Sequence, residues 1–276
     1  MSYNNEKKTM NFITGEKIQL SCDHFIGIER DFRYNPNIYK AKNKFLDINK
    51  INDYFENKKK IFCYNSPFFT LELLTNKLKF MKNPFTLIFH NSDESLNEKH
   101  LILFEKLSLL ECIYAQNVVI NHEKVIPIPI GLANSQHDHG NPQIHKEVYE
   151  MTIIKTKNIY FNFNIGNNPN KRQICYDIIN KKDISWNKNL PYENYLIELK
   201  KHKFAICPEG NGIDTHRFWE CLYMNTIPIC LKNTITTYYK KYFPIVLLDD
   251  WRELDITKLK YTTFDHKHLN IENLGI

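Results

Sequence analysis

Residues 204–231, FAICPEGNGIDTHRFWECLYMNTIPICL, constrain the fold of this chain more than any other stretch. They read as a buried strand, a glycine-bearing loop, an amphipathic helix and a second buried strand. The apolar runs at 204–207 and 226–231 leave no room for polar alternation, the habit of strands covered on both faces in a parallel sheet. Between them Asp214 stands where an N-cap is needed, its carboxylate placed to accept from amides two or three residues on. On the helix, Phe218, Cys221, Leu222 and Asn225 share one face, while His216, Arg217 and Glu220 share the other. This layout predicts an anion-binding pocket at the carboxyl edge of a parallel sheet.

Arg217 is the odd residue, because a cation in the first turn opposes the helix dipole. It pairs with Asp214 or Glu209, or it is solvated, or it binds an anion together with the free helix amides. Gly210 and Gly212, on either side of Asn211, favour the anion, since glycine lets backbone N–H groups approach a ligand closely. Glu220, one turn deeper, suits either sugar hydroxyls beside a phosphate or an i,i+3 pair with Arg217. Arginine and glutamate together suggest a nucleotide.

The block PEGNGIDTHRFWECLYMNTIPI resembles the C-terminal signature of exostosin-like glycosyltransferases, including their short viral and bacterial versions. Segments 85–93 (FTLIFHNSD), 125–140 (VIPIPIGLANSQHDHG) and 159–178 (IYFNFNIGNNPNKRQICYDI) look like further blocks of the short relatives, so the resemblance spans roughly residues 60–250. It implies an α/β, GT-B-like architecture, with two Rossmann-like lobes whose parallel sheets face each other across a cleft. It also implies a nucleotide-diphosphate sugar donor, here expected to be a UDP-sugar, a glycan acceptor and no obligatory metal. Arg217 and Arg172 would then hold the diphosphate and Glu220 the ribose, with Glu209, Gly210, Asn211 and Gly212 beside the sugar. Asp214 and Asn164 complete the implied donor site, and inversion at the anomeric carbon is the expected outcome by family analogy.

With 276 residues the chain has length for two modest lobes. The formal charge of +6 comes from lysines scattered through Asn- and Ile-rich sequence, which reads as a solvated basic surface and not as a nucleic-acid footprint. Seven cysteines, with no CxxC, fall mostly in apolar runs and read as reduced core residues. No signal-peptide core is visible and no apolar run approaches the ~20 residues of a membrane span, so a cytoplasmic setting is expected. His137-Asp138-His139 has no signalled third and fourth ligand, so no metal site is expected. GxSxG, Walker A and HExxH patterns are missing, and with them the marks of the corresponding hydrolases and NTPases.

Periodicity predicts short strands at 18–20 and 25–28, a strand at 61–64, a helix over 66–80, a strand at 85–89, a helix over 98–110, and strands at 118–120 and 125–127. A lobe junction is expected in the polar stretch 134–157. A strand at 159–163, helices at 168–180 and 191–201, the 204–231 block, a helix near 234–239 and a strand at 245–248 follow. The expected division is an acceptor-binding lobe over 1–150 and a nucleotide-sugar lobe over 151–250; by the resemblance, a tail over 251–276 crosses back onto the first lobe.

Asn162, Asn164 and Arg172 lie at or just after the first strand of the second lobe, where ligands bind in open α/β sheets. His90 and Asp93 close a strand of the first lobe, on the acceptor's side. An inverting transfer needs a group to take the acceptor hydroxyl's proton. His90 and Asp93 are the candidates, with Asp23, His24 and Glu209 behind them; in a retaining transfer they only bind acceptor. Two rivals stay open: a non-catalytic module of the same fold that binds sugar nucleotide or glycan, and a basic nucleic-acid-binding protein. The second lacks the expected clustering of basic residues with exposed aromatics.

Overall fold

In the computed structural model, residues 10–27, 33–45, 60–64 and 71–276 are described. They form an α/β structure with two sheets. The first joins β1 (His24–Ile26), β2 (Lys60–Tyr64), β3 (Phe85–His90), β4 (Leu110–Ala115) and β5 (Val125–Pro127), and the second joins β6 (Lys157–Tyr160), β7 (His202–Ile206), β8 (Ile227–Leu231) and β9 (Val246–Leu248). Every pairing is parallel, and in both sheets the spatial order follows the sequence order without reversal. Among the described residues no helix is long and apolar enough to cross a membrane.

Sequential order has a structural cost. Right-handed crossovers between parallel strands laid down in one direction place their connections on one face, leaving the other to be covered by something else. Period-2 alternation sorts the first sheet accordingly. Ile61, Cys63, Leu87 and Phe89 share a core with Leu74, Leu78 and Leu103 from the connecting helices. Phe62, Tyr64 and Ile88 face the other way and meet Ile18, Ile38 and the C-terminal residues Ile271, Leu274 and Ile276. The tail is therefore the cover of this second face. It is fastened by an antiparallel bridge between Phe12 and Asn270 and by the Tyr114 hydroxyl donating to the Gly275 carbonyl at 3.1 Å.

In the second sheet, Phe204, Ile206, Ile227 and Ile229 pack with Cys175 and Ile179 of the helix Pro169–Ile179. Ala205, Cys207 and Cys230 face the opposite way, toward Leu196, Leu199 and Trp219. These belong to the helices Tyr192–Lys200 and His216–Tyr223. That second cluster continues without a break through Phe12, Val118 and Leu132 into the core of the first sheet.

Several sequence expectations are corrected. Residues 18–20 belong to the helix Gly15–Leu20, because the Thr14 hydroxyl caps the Lys17 amide and winds the segment. The helix expected over 98–110 ends at Lys106, and Leu110–Ala115 is the strand β4. Its leucines at 107, 109 and 110 imitated helical spacing. Val118 makes only an isolated bridge with Leu96. The polar stretch 134–157 contains the helix Pro142–Glu150, started by the Asn141 side chain on the Gln143 amide. That helix lies before the expected boundary at 150 but is fastened to the second unit, with Lys200 Nζ donating to the carbonyls of Val148 (2.8 Å) and Tyr149 (2.6 Å). The helix expected over 66–80 is seen as Leu71–Leu78, since 65–70 lie outside the described residues.

Asp214 is the largest correction. It is not the N-cap: Thr215 holds that position, with no side-chain cap bond. Asp214 is 4% exposed and its carboxylate joins the two sheets. Oδ2 accepts from the Ile130 amide beyond β5 (2.7 Å) and Oδ1 from Trp219 Nε1 (2.8 Å). Its own amide donates to Asn117 Oδ1 at 3.0 Å, and Asn117, just past β4, holds a left-handed φ of 52°. Gly212 lies against the same carboxamide, and a Cβ there would stand 2.5 Å from Asn117 Nδ2.

Burial raises Asp214 to about 7, against the bonds to Ile130, Trp219 and Thr215 that pull it down. A folded-state value above the unfolded one contributes stability that is complete below the unfolded pKa and is lost as pH rises through the folded one. Asp214→Asn turns one acceptor into a donor that faces an N–H group, and should cost about 1–3 kcal/mol in chemical denaturation. Wild type's advantage over the variant should be greatest below about pH 4 and shrink as pH rises through about 7. A pH-independent difference would show that the carboxyl does not titrate in this range.

Candidate functional site

Residues just past the carboxyl ends of β3 and β5 and at those of β6 and β7 line one cavity of about 750 Å³. Its floor is the first turn of the helix His216–Tyr223, whose N-cap offers no side chain to the free amides. Such amides and the helix dipole favour an anion.

Arg217 enters this cavity from the first turn. None of the ion pairs expected for it forms. Its guanidinium carbon sits 4.8 Å from the Tyr195 ring centroid and 5.6 Å from that of Tyr160. Its Nη1 is buried with no hydrogen-bond partner. Arg172 reaches the same cavity from the helix Pro169–Ile179. Its Nε donates to the Glu209 carbonyl (2.8 Å) and its Nη1 to the Asn164 carbonyl (2.7 Å). Burial first, and then the neighbouring Arg217, lowers Arg172 to about 10, so it remains protonated at neutral pH. Gly210 lies where a Cβ would stand 3.2 Å from Arg172 Nη2. Two guanidiniums thus share one cavity.

Glu220 also lines it, in a network the sequence did not show. Tyr192 and Tyr195 each donate a hydroxyl to the Glu220 carboxylate at 2.7 Å, and His145 Nε2 contacts the Tyr192 hydroxyl at 2.7 Å. Burial pushes both phenols well above their ordinary value, which keeps them donors. Each carboxylate oxygen keeps a second lone pair.

Of the other predicted residues, Asn164 and Asn211 are exposed on the cavity wall, Asn164 accepting from the Gly166 amide at 2.9 Å. Gly210 and Gly212 line it too. Glu209 does not. Its carboxylate pairs with Lys171 and accepts from Asn233 Nδ2 at 2.9 Å, so only its carbonyl serves the site, through Arg172.

A smaller cavity of about 270 Å³ adjoins the large one on the side of the first sheet, and Asp93, Ile130, His137 and His216 line both. The exposed Asp93 stands at this junction, its Oδ2 accepting from Asn211 Nδ2 at 3.1 Å. His90 is corrected as a base. The Asn91 amide donates to its Nδ1 (2.8 Å), and its Nε2 bonds the Pro129 carbonyl (3.0 Å). A carbonyl only accepts, so Nε2 carries the proton and neither nitrogen is left for a substrate. Burial also lowers His90 to about 4.

The residue that sequence reasoning passed over is His216. Its Nδ1 bonds the Gly131 carbonyl at 2.8 Å. By the same logic Nδ1 carries the proton, and the neutral ring keeps a bare lone pair on Nε2. Burial lowers its pKa, with His139 and His137 adding to the effect and Glu220 opposing it. The available signal was its place directly before Arg217 at a helix start, where the dipole also favours a neutral imidazole.

The sequence matches no protein-family model, and no curated protein matches it.

Tyr195→Phe removes a donor to Glu220 while keeping the ring under Arg217. It should lower stability by about 1.5–3 kcal/mol, the range for hydrogen bonds to charged groups, measured by denaturant titration. An unchanged midpoint would mean that water replaces the phenol at no cost.

Proposed function

We propose that this chain is a glycosyltransferase of GT-B-like design, related to the exostosin-like enzymes, that uses a nucleotide-diphosphate sugar and no metal. One observation carries the reading: Arg217 Nη1 is buried without a partner at the start of a helix that has no side-chain cap, in a cavity of about 750 Å³. A buried guanidinium N–H without an acceptor is costly, and a diphosphate meets that need with bidentate geometry. Arg172 supplies the second charge. The spare lone pairs of Glu220 suit ribose hydroxyls, and the loop Gly210–Gly212 lies beside the sugar. A UDP-sugar is the expected donor, and the free cysteines fit a cytoplasmic setting.

In the proposed reaction an acceptor hydroxyl oxygen bonds to the anomeric carbon from the face opposite the diphosphate. The bond from that carbon to the diphosphate oxygen breaks, and the configuration inverts. The hydroxyl proton passes to His216 Nε2, whose ring is oriented by the Gly131 carbonyl. The charge left on the nucleotide diphosphate is met by Arg217, Arg172 and the helix amides. Asp93, at the junction of the cavities, orients the acceptor.

Thermal melting against UDP-, GDP-, dTDP- and CMP-sugars, with and without EDTA, tests the donor site. A UDP-sugar should raise the melting temperature equally in both conditions, by an amount corresponding to about 2.7 kcal/mol at a hundred times Kd. Arg217→Ala should weaken nucleotide binding by about 10–100-fold with the fold retained. His216→Asn should keep nucleotide binding and lower kcat by about 10²–10⁴-fold. Affinity without release of nucleotide diphosphate would favour a non-catalytic binding module. No stabilisation by any sugar nucleotide would sink the reading.

A further inference from the structure

The smaller cavity has its own chemistry. Its polar wall is made of the carboxamides of Asn35, Asn91, Asn134, Gln116 and Gln136, with the Tyr64 phenol beside them. Among the described residues no lysine or arginine lines it, and its one carboxylate, Asp93, is shared with the large cavity.

This wall is built and interlocked. Asn91, at a left-handed φ of 57°, donates to Gln19 Oε1 (3.0 Å) and accepts from Asn134 Nδ2 (3.0 Å). Tyr64 donates to the same Gln19 oxygen at 2.8 Å. Gly15 closes the floor so tightly that a Cβ would fall 1.9 Å from Asn91 Oδ1. Within this network Gln116 is 4% exposed and spends its Nε2 on the Ser92 carbonyl at 2.9 Å, while its Oε1 is buried with no partner. An unpaired buried acceptor costs about 1–3 kcal/mol. A ligand donor at that point removes the cost.

The lining selects the ligand class. Carboxamides offer donors and acceptors in equal number and no net charge, which matches hydroxyls, each a donor and an acceptor. An anion would enter without a counter-cation among the described lining, and a buried unpaired charge is strongly disfavoured. The volume of about 270 Å³ lies at the lower end of small-ligand sites, which run about 300–1,000 Å³. That suits a ligand of about one sugar ring.

We infer that this cavity binds a single neutral, unphosphorylated sugar residue, with Gln116 Oε1 accepting one of its hydroxyls. That this residue is the acceptor whose hydroxyl meets His216 rests on the glycosyltransferase reading; that the cavity binds a neutral sugar does not.

The test is saturation-transfer NMR and titration of the full chain with the methyl glycosides of glucose, galactose, mannose and xylose. Glucuronic acid, glucose 6-phosphate and glucosamine serve as charged counterparts. At least one neutral glycoside should bind at least tenfold more tightly than every charged probe. Gln116→Leu should weaken it about tenfold, the worth of one hydrogen bond, and leave nucleotide binding unchanged. Ser92 keeps a donor in that variant, since Asn117 Nδ2 also reaches its carbonyl at 3.2 Å. Gln136→Ala at the exposed rim should weaken the same glycoside and checks the result if Gln116→Leu folds poorly. Disaccharides ending in the preferred residue separate the sources: binding equal to the monosaccharide marks a glycan end, and exclusion marks a free sugar. Preference for a charged probe, no binding by any probe, or glycoside binding indifferent to both substitutions would overturn the inference. Glycoside binding without nucleotide-sugar binding would keep the sugar site and remove the transferase reading. Nucleotide-sugar turnover without neutral glycoside binding would do the reverse.

Discussion

The carboxylate of Asp214 sets the distance between the two sheets. Removing a carboxylate from water is expensive, and here N–H donors offset part of the cost: Ile130 from the first sheet's side, Trp219 and Thr215 from the second's. Because the donors come from opposite units, the group is satisfied only when the sheets stand at this separation. Asn117 fixes the same seam from the other direction by accepting the Asp214 amide, and the close approach of Gly212 depends on both. The seam also runs through the shared apolar core, where the Tyr223 hydroxyl accepts from the Ile13 amide and donates to the Leu269 carbonyl. The cleft is thus preformed, its walls held by buried bonds and not by surface loops.

The same seam explains why Arg217 remains unpaired. Asp214, three residues before it, is consumed by the junction, and Glu209 is drawn away to Lys171 and Asn233. Glu220 accepts one phenol on each oxygen and forms no ion pair with Arg217. Burial opposes the guanidinium's charge, while the faces of Tyr195 and Tyr160 and the charge of Glu220 support it; the ring contacts are worth about 0.5–2 kcal/mol. What remains unmet is the hydrogen bond of its Nη1, and in a cavity that also holds Arg172 that N–H suits an anionic acceptor.

The parts of this arrangement legible in the sequence were local. The strand–loop–helix–strand block was visible because its strands are apolar throughout and its helix has two distinct faces. Arg217, Glu220 and the glycine loop were expected together from that block, and Asn164 and Arg172 at the same sheet edge from the strand before it; the pairing of Arg172 with Arg217 came from the family resemblance, and all of them line one cavity. The misreadings within the candidate site involve distant partners. Asp214 looked like a cap because cap and junction need the same carboxylate; its true partner Ile130 lies 84 positions away. His90 looked available because nothing local announces the Pro129 carbonyl. The start of the strand Leu110–Ala115 was absorbed into the preceding helix because leucines at 107 and 110 stand at helical spacing.

In the proposed transfer His216 and Asp93 would compete for the proton, and their surroundings separate them. Asp93 is exposed at the junction, where water competes for its lone pairs. His216 is held neutral by burial and by its place at a helix start, which readies its lone pair but weakens it as a base. In the proposed transfer that weakness would be corrected by the reaction itself. As the bond to the leaving group broke, negative charge would grow on the diphosphate in the adjoining cavity, and Glu220 lies one turn along the same helix. Both would favour the imidazolium at the moment it formed. The proposed proton acceptor would therefore gain strength in step with bond cleavage, so its interaction would be greatest in the transition state, which is where stabilisation raises kcat.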